Sequence, residues 1–220
     1  MITQDLLDAL WDFDDPVGSE ERFAIAAADA RYTSAERSEL ATQRARALGL
    51  QQRFDEAHEV LDGLGTGSDP AVEIRIALER GRLFNSAGQP AQASAAFRNA
   101  LALAHASGQR FLELDALHML AIVDRARSDE WTQRAIELAE ITADARTKRW
   151  LVSLHNNRGW SRFDAGELEA ALESFRASAC WAAELGTAQQ RTWAAEAIAE
   201  CEAAIAARDA GRPAAAAEGE

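Results

Sequence analysis

The 220-residue chain carries 36 acidic against 23 basic side chains, a net charge of −13, and 48% hydrophobic residues. That surplus repels a polyanion and no basic stripe runs along the chain, which argues against nucleic acid as a partner. No stretch approaches the apolar length that spans a bilayer, and Met1-Ile-Thr-Gln-Asp5 lacks the basic region of a signal peptide, so a cytoplasmic protein with no membrane contact is expected.

Taken in chain order, Met1 to about Leu10 predicts a short helix, which Trp11-Asp-Phe-Asp-Asp-Pro-Val-Gly18 interrupts. Ser19-Glu20-Glu21 predicts the start of a second helix running to about Tyr32, because a hydroxyl cap and early carboxylates suit a helix N-terminus. Asp12, Asp14 and Asp15 in the turn read as turn and cap formers, with a divalent-cation site the rarer alternative. Helical hairpins then follow at residues 34–64, 72–106, 109–142 and 149–184, and a last helix covers about 188–209, with Trp193, Ala197, Cys201 and Ala204 expected on its covered side. The resulting divisions are an N-terminal capping hairpin over 1–33, four hairpins over 34–186, a capping helix over 187–212 and a flexible tail over 213–220, all read as one array. Cys180 and Cys201 are expected to be buried small hydrophobes. One lysine, Lys148, against 22 arginines suggests a GC-rich, bacterial genome.

The internal repeat carries most of the information. Arg80-Gly81, Ala87-Gly88, Ala93 and Phe97-Arg98 recur 78 residues later as Arg158-Gly159, Ala165-Gly166, Ala171 and Phe175-Arg176. A weaker copy lies 36 residues before the first, with Ala45 in the glycine place and Arg53-Phe-Asp-Glu-Ala57 in the turn-to-helix place. The third hairpin lacks the glycine turn and has only Asp124-Arg-Ala-Arg-Ser-Asp129 between its helices, so a shorter turn is predicted there. A small residue in mid-helix lets a second helix approach closely, and Ala and Phe one turn apart on that second helix face back toward it. Units of this kind cannot bury their apolar faces alone and must stack.

These residues resemble the tetratricopeptide repeat, over about residues 34 to 212. The resemblance implies an all-α fold, a right-handed α-solenoid of stacked antiparallel helical hairpins, and no cofactor. It also implies a concave groove lined by the first helix of each hairpin. Carried over position by position, that groove holds Gln43 and Arg46, then Arg75, Glu79 and Arg82, then His118 and Ile122, and finally Asn156, Asn157, Trp160, Phe163 and Asp164. Arginine stands where the family has leucine at Arg44, Arg80 and Arg158, and their stems are expected to pack while each guanidinium reaches a carboxylate or water. The lysine pattern of the chaperone-tail clamp is absent.

No HExxH, phosphate-binding Gly-rich loop, Gly-x-Ser-x-Gly or Cys-x-x-Cys occurs, and four dispersed histidines offer no ligand set. An enzymatic role is therefore not expected. The leading expectation is an adaptor that binds a protein or peptide bearing an acidic group and an apolar anchor. A peptide-responsive sensor and a self-assembling scaffold, with a homo-oligomer possible in the latter, are the alternatives.

Overall fold

Helix-capping chemistry sets where the first elements begin. In the computed structural model, which describes residues 2–65 and 69–210, α1 (Gln4–Leu10) starts behind Thr3, whose hydroxyl accepts from the Leu6 amide. Helix α2 (Pro16–Ala28) starts earlier than Ser19: Asp15 accepts from the Gly18 amide, and Pro16 fills the first turn, where a missing N–H costs nothing. Ser19 is instead buried inside the helix and holds the preceding turn, accepting from the Asp12 amide and donating to the Asp12 carbonyl. Asp12 also accepts from the Asp14 amide, so the acidic turn is occupied with its own backbone, and among the described residues no group of acidic, histidine or cysteine side chains is arranged to hold a metal ion. The expected tail at 213–220 lies outside the described residues, as do residues 211 and 212 of the expected capping segment.

Every regular element among the described residues is helical. The chain divides into two units, Met1–Trp131 and Thr132–Glu220, where the sequence reads as one unbroken array. In the first unit, α3 (Ser34–Leu50) and α4 (Phe54–Asp62) form one hairpin, and α5 (Pro70–Ser86) and α6 (Pro90–Ala106) form the next. Helix α2 packs on α3, α3 on α5, and α6 on α7 (Arg110–Val123). The short turn expected after α7 is a 3-10 turn over Arg125–Arg127, followed by α8 (Ser128–Glu140), inside which the boundary between the units falls. The second unit contains the short α9 (Ala145–Lys148), the hairpin of α10 (Trp150–Asp164) and α11 (Leu168–Leu185), and α12 (Ala188–Ala210) packed against both.

The glycine and phenylalanine register does what its spacing implies. A Cβ built on Gly81 would lie 2.4 Å from a ring carbon of Phe97, and one on Gly159 would lie 2.4 Å from Phe175. Both rings are fully buried, so each fills the space that a side chain on the facing helix would need. Between the helices, Gly88 and Gly166 take positive φ and close the turn, Gln89 donating to the Phe84 carbonyl and Glu167 to that of Arg162. The first hairpin has no glycine there, and Gln52 adopts the left-handed conformation itself, with φ 61°.

The three anomalous arginines act as ties. Each reaches back to a helix earlier in the chain: Arg44 to Glu20 on α2 at 2.6 Å, Arg80 to Asp62 on α4 at 2.6 Å, and Arg158 to the Gln133 side chain on α8 at 2.8 Å. Two of the three therefore meet carboxylates, and the third meets an amide.

At the end of the second unit, α12 buries Ala194, Ala197 and Cys201 and leaves Trp193 56% exposed. Of the expected covered side, Ala197 and Cys201 are buried and Ala204 half-buried, while Ala194 takes the covered place expected for Trp193. Cys201 lies in a buried cluster with Ala171, Phe175 and Ala197, but Cys180, expected to be buried as well, is exposed and free.

Candidate functional site

Two helix faces carry the residues expected to bind a partner, one in each unit, and their chemistry differs. In the first unit α3, α5 and α7 lie side by side and present a network of charges. Glu39 is buried 3.3 Å from Arg75. Arg82 donates to Glu79 at 2.6 Å and to both carboxylate oxygens of Asp115 at 2.6 Å. Burial opposes the charge on Arg82, but Asp115 and then Glu79 outweigh it and hold the guanidinium more basic than usual. Burial likewise opposes ionisation of Asp115, yet Arg82 and then Arg46 leave its carboxyl below the ordinary range. For Glu79, only 2% exposed, burial wins and pushes the carboxyl up. His118, half-buried beside this group, is pushed down by burial, with Asp115 offsetting part of the shift.

Arg46 is the exception within the network. Its guanidinium lies 5.5 Å from the ring centroids of both Trp11 and Phe13, which stack on each other at 4.7 Å. Among the described residues no carboxylate makes an ion pair or hydrogen bond with it. Next to it opens a pocket of about 230 Å³, walled by Leu50, Leu83 and Met119 together with Glu79 and Arg82.

Several expected groove residues are thus committed within the protein. Gln43 is only 3% exposed and accepts a hydrogen bond from the Trp11 indole at 3.1 Å, so it braces the N-terminal segment and presents nothing to a ligand. Arg75 and Arg82, which with Arg46 would make one end of the groove basic, are paired within the protein, Arg75 with Glu39 and Arg82 with Glu79 and Asp115. Ile122 on α7 is exposed.

In the second unit the pocket is lined by uncharged side chains. Asn156 is half-buried and Asn157 exposed on α10, and neither side-chain amide is hydrogen-bonded among the described residues. They line a pocket of about 210 Å³ together with Ser153, Gln190 and the exposed Trp193. Trp160, expected beside these amides as an exposed anchor, points elsewhere. Its ring makes edge contacts with Phe175 at 4.9 Å and Phe163 at 5.5 Å and joins the cluster that α12 covers. Phe163 packs in the same cluster, and Asp164 is exposed at the end of α10. The tryptophan that meets the amides comes from α12. Asp115 and Trp193 were absent from the expected site. Asp115 lies three residues before His118 and so shares its helix face, a signal that sequence spacing carries.

No protein-family model matches the chain, and no curated protein matches it. Among solved structures the chain is similar to BtubC (BKLC) from P. vanneervenii, with a TM-score of 0.62 and 14% identity over 96% of this chain and 97% of that one. At that identity the likeness is one of fold. The chain is an all-α protein of helical-repeat type, and among the described residues no helix is long and apolar enough to cross a membrane.

Proposed function

We propose that this chain is a non-enzymatic adaptor of tetratricopeptide-repeat type, working in the bacterial cytoplasm, that binds a segment of another protein. The observation that supports this most directly is the uncovered Trp193 beside the unbonded amides of Asn156 and Asn157. A side-chain amide offers a donor and an acceptor together, the complement of a peptide unit in an extended chain. A flat indole next to it gives an apolar side chain of that segment a surface to cover, and aromatic residues concentrate binding energy at interface centres. The partner segment is accordingly uncharged where it meets this face.

The test is selection of peptides from a displayed library on the full chain, followed by titration of the best binder against Trp193→Ala and Asn156→Ala. Trp193→Ala should weaken binding by about 2 kcal/mol, the range of an interface hot spot. Unchanged affinity in both variants would remove the reading.

A further inference from the structure

We infer that the pocket beside Arg46 in the first unit is a carboxylate site, which takes a single carboxylate carried on a short aliphatic stem. This goes beyond the peptide reading, since it lies in the other unit and uses different chemistry. Every other buried charge on that face has an opposite charge against it: Arg75 has Glu39, and Arg82 has Glu79 and Asp115. Arg46, half-buried, lies against two aromatic faces and feels Glu79 and Asp115 from a distance, with no ion pair or hydrogen bond to a carboxylate among the described residues. Removing a guanidinium from water without a carboxylate partner is costly, and a planar fork with no acceptor suits a carboxylate in particular.

The remaining walls define the rest of the ligand. Leu50 is 50% exposed at the pocket and, with Leu83 and Met119, gives an apolar lining for a hydrocarbon stem. A volume of about 230 Å³ admits a small acid or one acidic side chain, and no folded element. The charge nearby disfavours dianions, because Asp115, which Arg82 and then Arg46 hold ionised, would repel a second negative charge.

Glu79 supplies a second contact. Its Oε1 accepts from Arg82, while its buried Oε2 has no hydrogen-bond partner at the pocket wall. In the protonated form that oxygen donates to the incoming carboxylate; in the ionised form it repels it. The groups that face Glu79 are Arg82 and Arg75 on its own helix, Arg46 on α3 and Asp115 on α7, with His118 beside Asp115 and Arg82. Burial already favours the protonated form, and a bound carboxylate favours it further, so binding takes up a proton and tightens as the pH falls.

The experiment titrates hexanoate, hexanamide, inorganic phosphate and an end-blocked Leu-Glu-Leu peptide into the full chain and into Arg46→Met and Glu79→Gln. Methyl resonances of Leu50 and Met119 report occupancy in the parent, which keeps the test open should a variant not fold. Hexanoate is expected to bind and shift both methyls, hexanamide and phosphate to do neither. Arg46→Met should weaken hexanoate at least about tenfold, whereas Glu79→Gln should bind it more tightly and with less pH dependence. A blocked peptide tighter than hexanoate identifies an acidic side chain as the natural ligand, and the reverse order identifies a free acid. Equal hexanoate affinity in the parent and Arg46→Met, or no shift at either methyl with hexanoate and with the peptide, would overturn the proposal while leaving the Trp193 reading intact.

Discussion

The two units solve one packing problem in the same way and then diverge on their exposed faces. Gly81 against Phe97 and Gly159 against Phe175 set near-identical contacts between paired helices. On the face of the first helices, one unit buries arginines and carboxylates that neutralise one another, and the other leaves amides and an indole uncovered. The lesson is that helix spacing and surface chemistry are specified by different residues of the same helix, so one can change without the other.

Removing a charge from the first unit tests the contrast most severely. Arg82→Met strips the shared partner from Glu79 and Asp115, and should lower unfolding free energy by about 3 kcal/mol in urea titrations. The matched change in the second unit, Asn156→Leu, should stay within about 0.5 kcal/mol of the parent, since that amide makes no hydrogen bond among the described residues. Equal costs would erase the distinction between the two faces.

Next in size are the tryptophans. Trp160→Ala opens a hole beside Phe175 and should cost about 2 kcal/mol, measured by thermal melting, while Trp193→Ala should cost less than about 0.5 kcal/mol. The shared packing rule gives the third prediction. Gly81→Ala and Gly159→Ala should each destabilise by about 1 to 3 kcal/mol through overpacking, and Phe97→Leu or Phe175→Leu added to the matching glycine variant should recover part of that loss. A large cost in one unit with none in the other would show that the contact is not common to both.

The smallest effect is a difference of sign with pH. His155 in the second unit is held down to about 4, by burial first and then by Arg158 and Arg162. Between its unfolded value, about 6.5, and about 4, the unfolded chain binds a proton that the folded chain refuses, so stability falls as pH drops through that window. His155→Gln should flatten that part of the profile. Glu79 works the other way: its raised carboxyl binds a proton more readily folded than unfolded, so acid favours the fold there and Glu79→Gln removes the benefit. The difference between variant and parent melting curves across pH reads both.

The helices of the α3–α4, α5–α6 and α10–α11 hairpins and the glycine contacts were legible because they rest on local periodicity and on the size of one residue facing another. The site was legible only in part. Whether Arg75 and Arg82 face a ligand or pair with carboxylates is not decided by local sequence, because Glu39 and Asp115, their partners, lie 36 and 33 positions away and meet them only once helices stack. Placing Trp193 on the covered side of α12 failed on helical phase. A shift of one residue along α12 turns an indole from core to surface, and an alanine-rich helix offers few bulky neighbours to fix that phase from sequence.

The arginine ties have a consequence for how such a chain tolerates change. Arg44 and Arg80 are each matched to one acidic side chain, on α2 and α4, and Arg158 to one amide on α8. The Arg80 and Arg158 ties are exposed and add little stability apiece, while the Arg44 tie is part-buried. Their value is as a coarse address: Arg44 and Arg80 could trade places and still find a carboxylate, whereas either one set opposite Gln133 would find an amide with no negative charge.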